Sequence, residues 1–352
     1  MRGSMIGEVL LVLRQARGLT QAEVAGRVGI TQAALSRYEA DLRVPDEETT
    51  SALADVLGVT QDFLTHDFRM RGAVAADAHM RRRATARPSD WRRVEAGLNE
   101  LRMHSSYLLT RVPMDPDLHV PSLDPFEVSP AEAARRVRAL WRMPIGPVRR
   151  LVRWVEAAGV VVVEQRMPSQ RIDGMSQWSG DHAVIVLNAD MPRDRRRWTV
   201  AHELGHLVLH DSYVEPDVED QANEFAAELL MPAEVIRPQL KDVSLGALVD
   251  LKAEWGCSMR AVFERALDLG TAERSERDRF YRRLREKGWK VTEPGSDTLP
   301  PEVPELAASV GQRMLDAGLT RDEVAEIIGI APGAESPFLP KPAPATHLRR
   351  VI

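Results

Sequence analysis

In the stretch Trp198-Thr199-Val200-Ala201-His202-Glu203-Leu204-Gly205-His206-Leu207-Val208-Leu209-His210, two histidines stand four residues apart with a glutamate after the first. On a helix this spacing puts both imidazoles on one face, their Cβ atoms ~6 Å apart, within reach of one metal ion. Glu203, beside the first histidine, can take the proton of a water held there. Val200, Leu204, Leu207 and Leu209 turn the opposite side of the helix into a core. A merely structural histidine pair would leave Glu203 buried without a purpose. The pattern implies a metal-dependent hydrolase.

Catalytic zinc takes three protein ligands and keeps a position for water. His210 lies ~6 Å further along the helix axis than His206, a poor fit to the same ion, and reads as an orienting or helix-end residue. The better source is the acidic segment Val218 to Met231, with Glu219, Asp220, Glu224 and Glu228. Glu219, Ala222, Asn223 and Ala226 share one face there. The small alanines allow close approach to the metal helix, and Asn223 can hydrogen-bond a ligand histidine. That geometry favours Glu219 over Asp220 and Glu224 as third ligand.

Before the metal helix the hydrophobic period shortens to two. Val160 to Glu164, Arg171 to Ser176 and Ala183 to Asn188 read as strands of a small sheet, followed by a charged turn, Asp190 to Arg197. Such a sheet beside the metal helix could hold a substrate backbone by strand addition.

Arg196-Arg197-Trp198-Thr199-Val200-Ala201-His202-Glu203-Leu204-Gly205-His206, preceded by Val186-Leu187-Asn188 and followed by Glu219 to Pro232, resembles the ImmA/IrrE family of zinc peptidases. The resemblance covers about residues 130 to 270. It implies that His202, His206 and Glu219 bind Zn2+ and that Glu203 is the general base, passing a proton to the leaving amine. Tyr213, His210 and the Arg195 to Arg197 segment are candidates to steady the oxyanion. Members are regulatory proteases, several of which cleave a helix-turn-helix repressor.

The N-terminal part points to DNA. Ile6, Val9, Leu10 and Leu13 form one helical face ending at Gly18. Thr20 and Glu23 make a capping box for a second helix, stopped by Gly29, and Thr31 caps a third, Gln32 to Ala40. Leu13 to Ala25, Gly29 to Gln32 and Leu35 to Glu39 resemble the phage-repressor (XRE-like) helix-turn-helix. By that resemblance the third helix enters the major groove of double-stranded DNA, with Gln32, Ala33 and Ser36 facing bases and Gln21, Arg37 and Arg43 on phosphates. Residues 1 to 65 hold six arginines against nine acids, so the module is net −3 and needs a second copy of the chain or a neighbour to grip DNA. Residues 66 to 104 hold nine arginines against five acids and are that neighbour, or else a solvated helix face or salt bridges to other domains.

The remaining organisation follows from punctuation. His66 to Arg87 reads as a mobile connector, Pro88 to Leu109 as a long helix, and Val112 to Val128, with four prolines, as an extended tether. A helix starts at Ser129-Pro130, another at Gly146-Pro147, and Phe280 to Trp289 is a basic amphipathic helix. Gly318 to Ile330 matches Gly18 to Ile30 at eight of thirteen positions but lacks a recognition helix, and reads as a packing element. From Ser336 the tail is expected to be disordered.

The 352-residue chain, with net charge −5, is not a bulk nucleic-acid binder. The single Cys257 excludes an internal disulfide framework, and no signal peptide or membrane span is visible, so a cytoplasmic location is expected. The expected fold is α+β: an all-α helix-turn-helix domain (1–66), an arginine-rich connector and tether (67–128), a zincin-like domain with a small sheet (129–272), a helical C-terminal region (273–335) and a tail (336–352). The expected protein is a transcriptional regulator that cleaves a repressor or antitoxin-like partner, or its own linker near Ala73 to Arg87. A DNA-binding sensor without proteolysis is the alternative. In a third reading the N-terminal domain docks a repressor of its own fold.

Overall fold

The computed structural model describes residues 6–68, 87–112, 114–210, 217–241 and 243–340. Five short helices open the chain: α1 (Ile6–Ala16), α2 (Gln21–Val28), α3 (Gln32–Glu39), α4 (Glu47–Leu57) and α5 (Gln61–Leu64). Each start after α1 is capped by a side-chain oxygen, from Thr20, Thr31, Asp46 and Thr60 in turn. The helix-turn-helix is made by Gly29, left-handed at φ 78°, which ends α2 and turns the chain into Thr31. Leu10, Leu13, Val24, Leu35, Leu53 and Phe63 fill its core.

Helix α6 (Pro88–Leu109) joins this domain to the rest. Met103 and Tyr107 enter the N-terminal core, whereas Trp91, Val94, Leu98 and Leu101 pack against the sheet. Arg17 pairs with Glu100 at 2.9 Å across the same junction.

The sheet has order β1-β3-β2, with β1 (Val161–Gln165) parallel and β2 (Gly174–Ser179) antiparallel to β3 (His182–Asn188). The second strand thus lies three residues beyond the expected one. Asn188 ties the preceding segment back as a loop, through Nδ2 to the Ile172 carbonyl. Alternation sorts the side chains: Val162, Ile185 and Leu187 face one core, and Val161, Val163, Val184 and Val186 the other. Both faces are covered, which explains the unbroken apolar runs. The first core is closed by α7 (Pro130–Leu140), α8 (Leu151–Ala157), α9 (Arg193–Leu209), α10 (Val218–Leu230), α11 (Ala233–Ile236), α12 (Leu245–Trp255), α13 (Met259–Asp268) and α14 (Arg277–Glu286). The second is closed by α6, α15 (Leu306–Asp316) and α16 (Arg321–Ile328).

Four further expectations change. The turn Asp190 to Arg197 is shorter, because α9 begins at Arg193. Helix α8 begins at Leu151 because Arg150 is left-handed, φ 54°. The tether is held to the zincin-like domain: the Leu118 amide donates to Ala157, that of Leu123 to Val208, and the Trp141 indole to His119. The tail is ordered through Pro340, since Phe338 and Leu339 are buried and the Phe338 carbonyl lies against Gly311. Most of the expected mobile connector (69–86) and residues 341–352 lie outside the described residues.

The second helix-turn signature folds like the first. Thr320 and Glu323 form the same capping box as Thr20 and Glu23, and Gly329 is left-handed like Gly29. Its end docks on the N-terminal domain through an antiparallel bridge between Val59 and Ile330. That contact is packing, as expected of this segment.

Candidate metal centre

Helix α9 carries the H-E-x-x-H residues and is buried along almost its whole length. Two close approaches set its position. A Cβ on Gly205 would come within 3.0 Å of the Phe225 ring and 3.3 Å of Ala222 Cα, so glycine lets α10 lie directly against α9. A Cβ on Gly174 would meet Thr199 Cγ2 at 2.7 Å, so β2 lies equally close on the other side.

Between these elements His202, His206 and Glu219 converge. The two Nε2 atoms are 3.0 Å apart, and the Glu219 carboxylate oxygens lie 3.5 Å from His202 Nε2 and 3.6 Å from His206 Nε2. Donors held ~2 Å from one tetrahedral zinc ion stand ~3.3 Å from one another, so the trio fits such an ion. Among the described residues it is the one group of histidine and acidic side chains so arranged. Asp220 and Glu224 are exposed and outside it, and Glu228 is buried in an ion pair with Arg265.

The ligand-bearing rings are themselves held. His202 Nδ1 contacts Asn223 Oδ1 at 3.0 Å, so an Nδ1–H there leaves Nε2 as the lone-pair donor. His206 Nδ1 lies 2.9 Å from His210 Nδ1, whose Nε2 lies 2.8 Å from Gln221 Oε1. His210 caps the C-terminus of α9 and supports His206 rather than joining the trio. Glu203 is 5 % exposed, and its Oε2 accepts from Ser176 Oγ of β2 at 2.8 Å. The Trp178 indole donates to the Leu207 carbonyl and fastens the same strand to the helix.

Ser176 and Gln221 did not stand out in the sequence. A lone serine in a strand and a glutamine in an acidic helix carry no spacing signal; both act through contacts made only in three dimensions. Of the candidate oxyanion residues, Tyr213 lies outside the described residues. Arg195, Arg196 and Arg197 are engaged by Asp173, Glu164 and Glu302.

In the N-terminal domain Gln32, Ala33, Ser36 and Arg37 form an exposed face of α3, with Arg43 exposed beyond it. Gln21 sits at the start of α2, but its amide donates to Glu39 Oε2 at 2.8 Å, inside the Arg14–Glu39 ion pair. No helix among the described residues is long and apolar enough to cross a membrane.

Residues 155–267 match the model of the IrrE N-terminal-like domain, and residues 6–66 that of a helix-turn-helix domain. The chain is 37% identical to the radiation response metalloprotease IrrE of Deinococcus deserti over 20% of its own length and 29% of that protein. It is 35% identical to the IrrE of Deinococcus radiodurans, over 24% and 30%. A prophage-derived HTH-type transcriptional regulator of Bacillus subtilis, YonR, is 38% identical over 17% of the chain and 56% of that protein. The matches thus span under a third of either metalloprotease. On these likenesses, the chain joins an N-terminal helix-turn-helix domain to an IrrE-like domain of the metallopeptidase class.

Proposed function

We propose that the protein is a DNA-binding regulator whose zinc-dependent endopeptidase site, within residues 129–272, cuts one specific regulatory protein of the repressor or antitoxin kind. The observation that carries this reading is the His202–His206–Glu219 trio, its two histidines buried, with the Glu203 carboxylate held beside it. Zinc, when bound, supplies a Lewis acid that polarises a peptide carbonyl and makes water a nucleophile at neutral pH. Glu203, its carboxylate fixed by Ser176, is placed to take a proton from an attacking water and would deliver it to the leaving amine. Strand β2 offers an edge beside the site to which an extended substrate can add. Asn223 and His210 orient the two imidazoles. The exposed face of α3 reads bases through Gln32, Ala33 and Ser36, with Arg37, Arg43 and Gln21 on phosphates. The net negative charge of this domain favours binding as a dimer, which doubles the phosphate contacts.

Purified protein loaded with zinc, incubated with candidate repressors encoded by neighbouring genes beside a Glu203→Gln control, tests the proteolytic part. A discrete fragment made only by the unaltered protein supports it; intact candidates throughout refute it. The sensor reading predicts bound metal and operator binding but the same transcriptional output after Glu203→Gln.

A further inference from the structure

A second site lies at the opposite end of the metal helix. The starts of α8 and α9, the end of α12 and the segment 299–302 enclose a cavity of about 250 Å³. Four arginines line it: Arg149, Arg150, Arg193 and Arg197. The acids on its wall do not neutralise them all. Glu302 pairs with Arg197 and also accepts from the amides of Leu151 and Val152, and with Glu254 it sets two carboxylates against four guanidinium groups. Arg149 and Arg150 have no ion-pair partner among the described residues, and Arg193 bonds only a carbonyl, that of Leu299. Arg150 is moreover held left-handed, a conformation that costs a non-glycine residue free energy and recurs at ligand sites. Ala253, Leu299 and Pro300 give the same cavity an apolar wall.

Unpaired guanidinium groups around a pocket with one apolar side suit a ligand of matching design. We propose that this cavity binds a small organic anion, a carboxylate or phosphate carried on a compact apolar body. The head group is taken by Arg149, Arg150 and Arg193, and the body rests against Leu299 and Pro300. This assignment stands apart from the peptidase reading, since the cavity shares no residue with the metal trio.

Calorimetric titration of the zinc-loaded full chain with phenyl phosphate, benzoate, inorganic phosphate and benzyl alcohol tests it. Phenyl phosphate or benzoate is expected to saturate one site, and the tighter of the two names the head group. Inorganic phosphate should bind at least ~10-fold more weakly, lacking the body, and benzyl alcohol should not bind, lacking the charge. The double variant Arg149→Gln/Arg193→Gln should weaken the aryl anion at least ~10-fold, the loss of about one charge-assisted bond. Ala253→Trp, at an exposed position on the rim, should block it with the fold intact by circular dichroism, and decides the matter if the arginine variant does not fold. The Glu203→Gln protein should bind like the unaltered chain, which separates this site from the peptidase. No saturable binding of either aryl anion, equal binding of benzyl alcohol, or undiminished binding to Ala253→Trp would overturn the proposal.

Discussion

Ser176 Oγ lies 2.8 Å from the Oε2 of Glu203 and 3.1 Å from the carbonyl of the same residue, so one hydroxyl on a strand touches both ends of the residue proposed as general base. The contact ties β2, the edge strand proposed to take substrate, to the residue proposed to carry the proton transfer. Ser176→Ala should lower kcat for cleavage by ~10-fold with zinc content unchanged, and Ser176→Thr should recover most of it. Glu203→Gln should cost ~10²–10⁴-fold, the range of a lost general base. Equal kcat for Ser176→Ala and the unaltered protein would remove Ser176 from the mechanism.

Asn223 holds the ring of His202 from the next helix. Its replacement by alanine should weaken zinc binding ~10–100-fold, as happens when such orienting partners are lost, whereas the Asn223→Asp variant should keep the bond and preserve affinity. Competition with a chromogenic chelator reads both.

Glu156, which is not part of the His202–His206–Glu219 trio, predicts a pH dependence of its own. Its carboxyl accepts from the amides of Glu305 and Leu306 at the start of α15, but burial outweighs these bonds and pushes its pKa from the usual 4.5 up to about 7. Between those values the folded chain holds a proton that the unfolded chain has released, so stability falls as pH rises from about 4.5 to about 7. Glu156→Gln should flatten this slope by ~1–3 kcal/mol and raise stability at pH 8 relative to the unaltered chain. Denaturant midpoints at pH 5 and pH 8 give the comparison; parallel slopes would count against it.

Ile330 is 3 % exposed and bridges to Val59, while the His104 ring bonds the Ile328 carbonyl. Ile330→Ala should destabilise the docking of α16 on the N-terminal domain by ~2–4 kcal/mol, the usual cost of emptying such a site. Faster limited proteolysis around residues 318–340, with unchanged metal binding, is the expected result.

Cys257 is fully buried, and its thiol is pushed up to about 12 by burial. It should react with a disulfide reagent only upon unfolding; rapid labelling of the native protein would contradict that environment.

Local sequence was enough wherever a structure is made within a few residues. The capping boxes at Thr20 and Thr320, the glycine stops at Gly29 and Gly329, the start of α7 at Ser129 and the span of α6 all stood in the chain, because each hydrogen bond closes within one or two turns. The placement of His202 and His206 on one helical face was legible for the same reason. Their convergence with Glu219 was inferred from a neighbouring helix face and is present in the folded chain.

Other features depend on partners distant in sequence. Helix α9 begins earlier than the charged turn suggested because Arg195, Arg196 and Arg197 each find a carboxylate in another part of the chain, as Asp173, Glu164 and Glu302. The tail expected to be disordered is ordered to Pro340 because Phe338 finds a place against Gly311.

By itself, then, the sequence of Trp198 to His210 determined a helix with two imidazoles and a carboxylate on call, since helical spacing is a local property. Only the tertiary structure decided that Ser176 would hold Glu203, that Gln221 would meet His210, and that four arginines would meet in one cavity. Those relations depend on the approach of separate strands and helices, which close packing at Gly174 and Gly205 permits and no local pattern encodes.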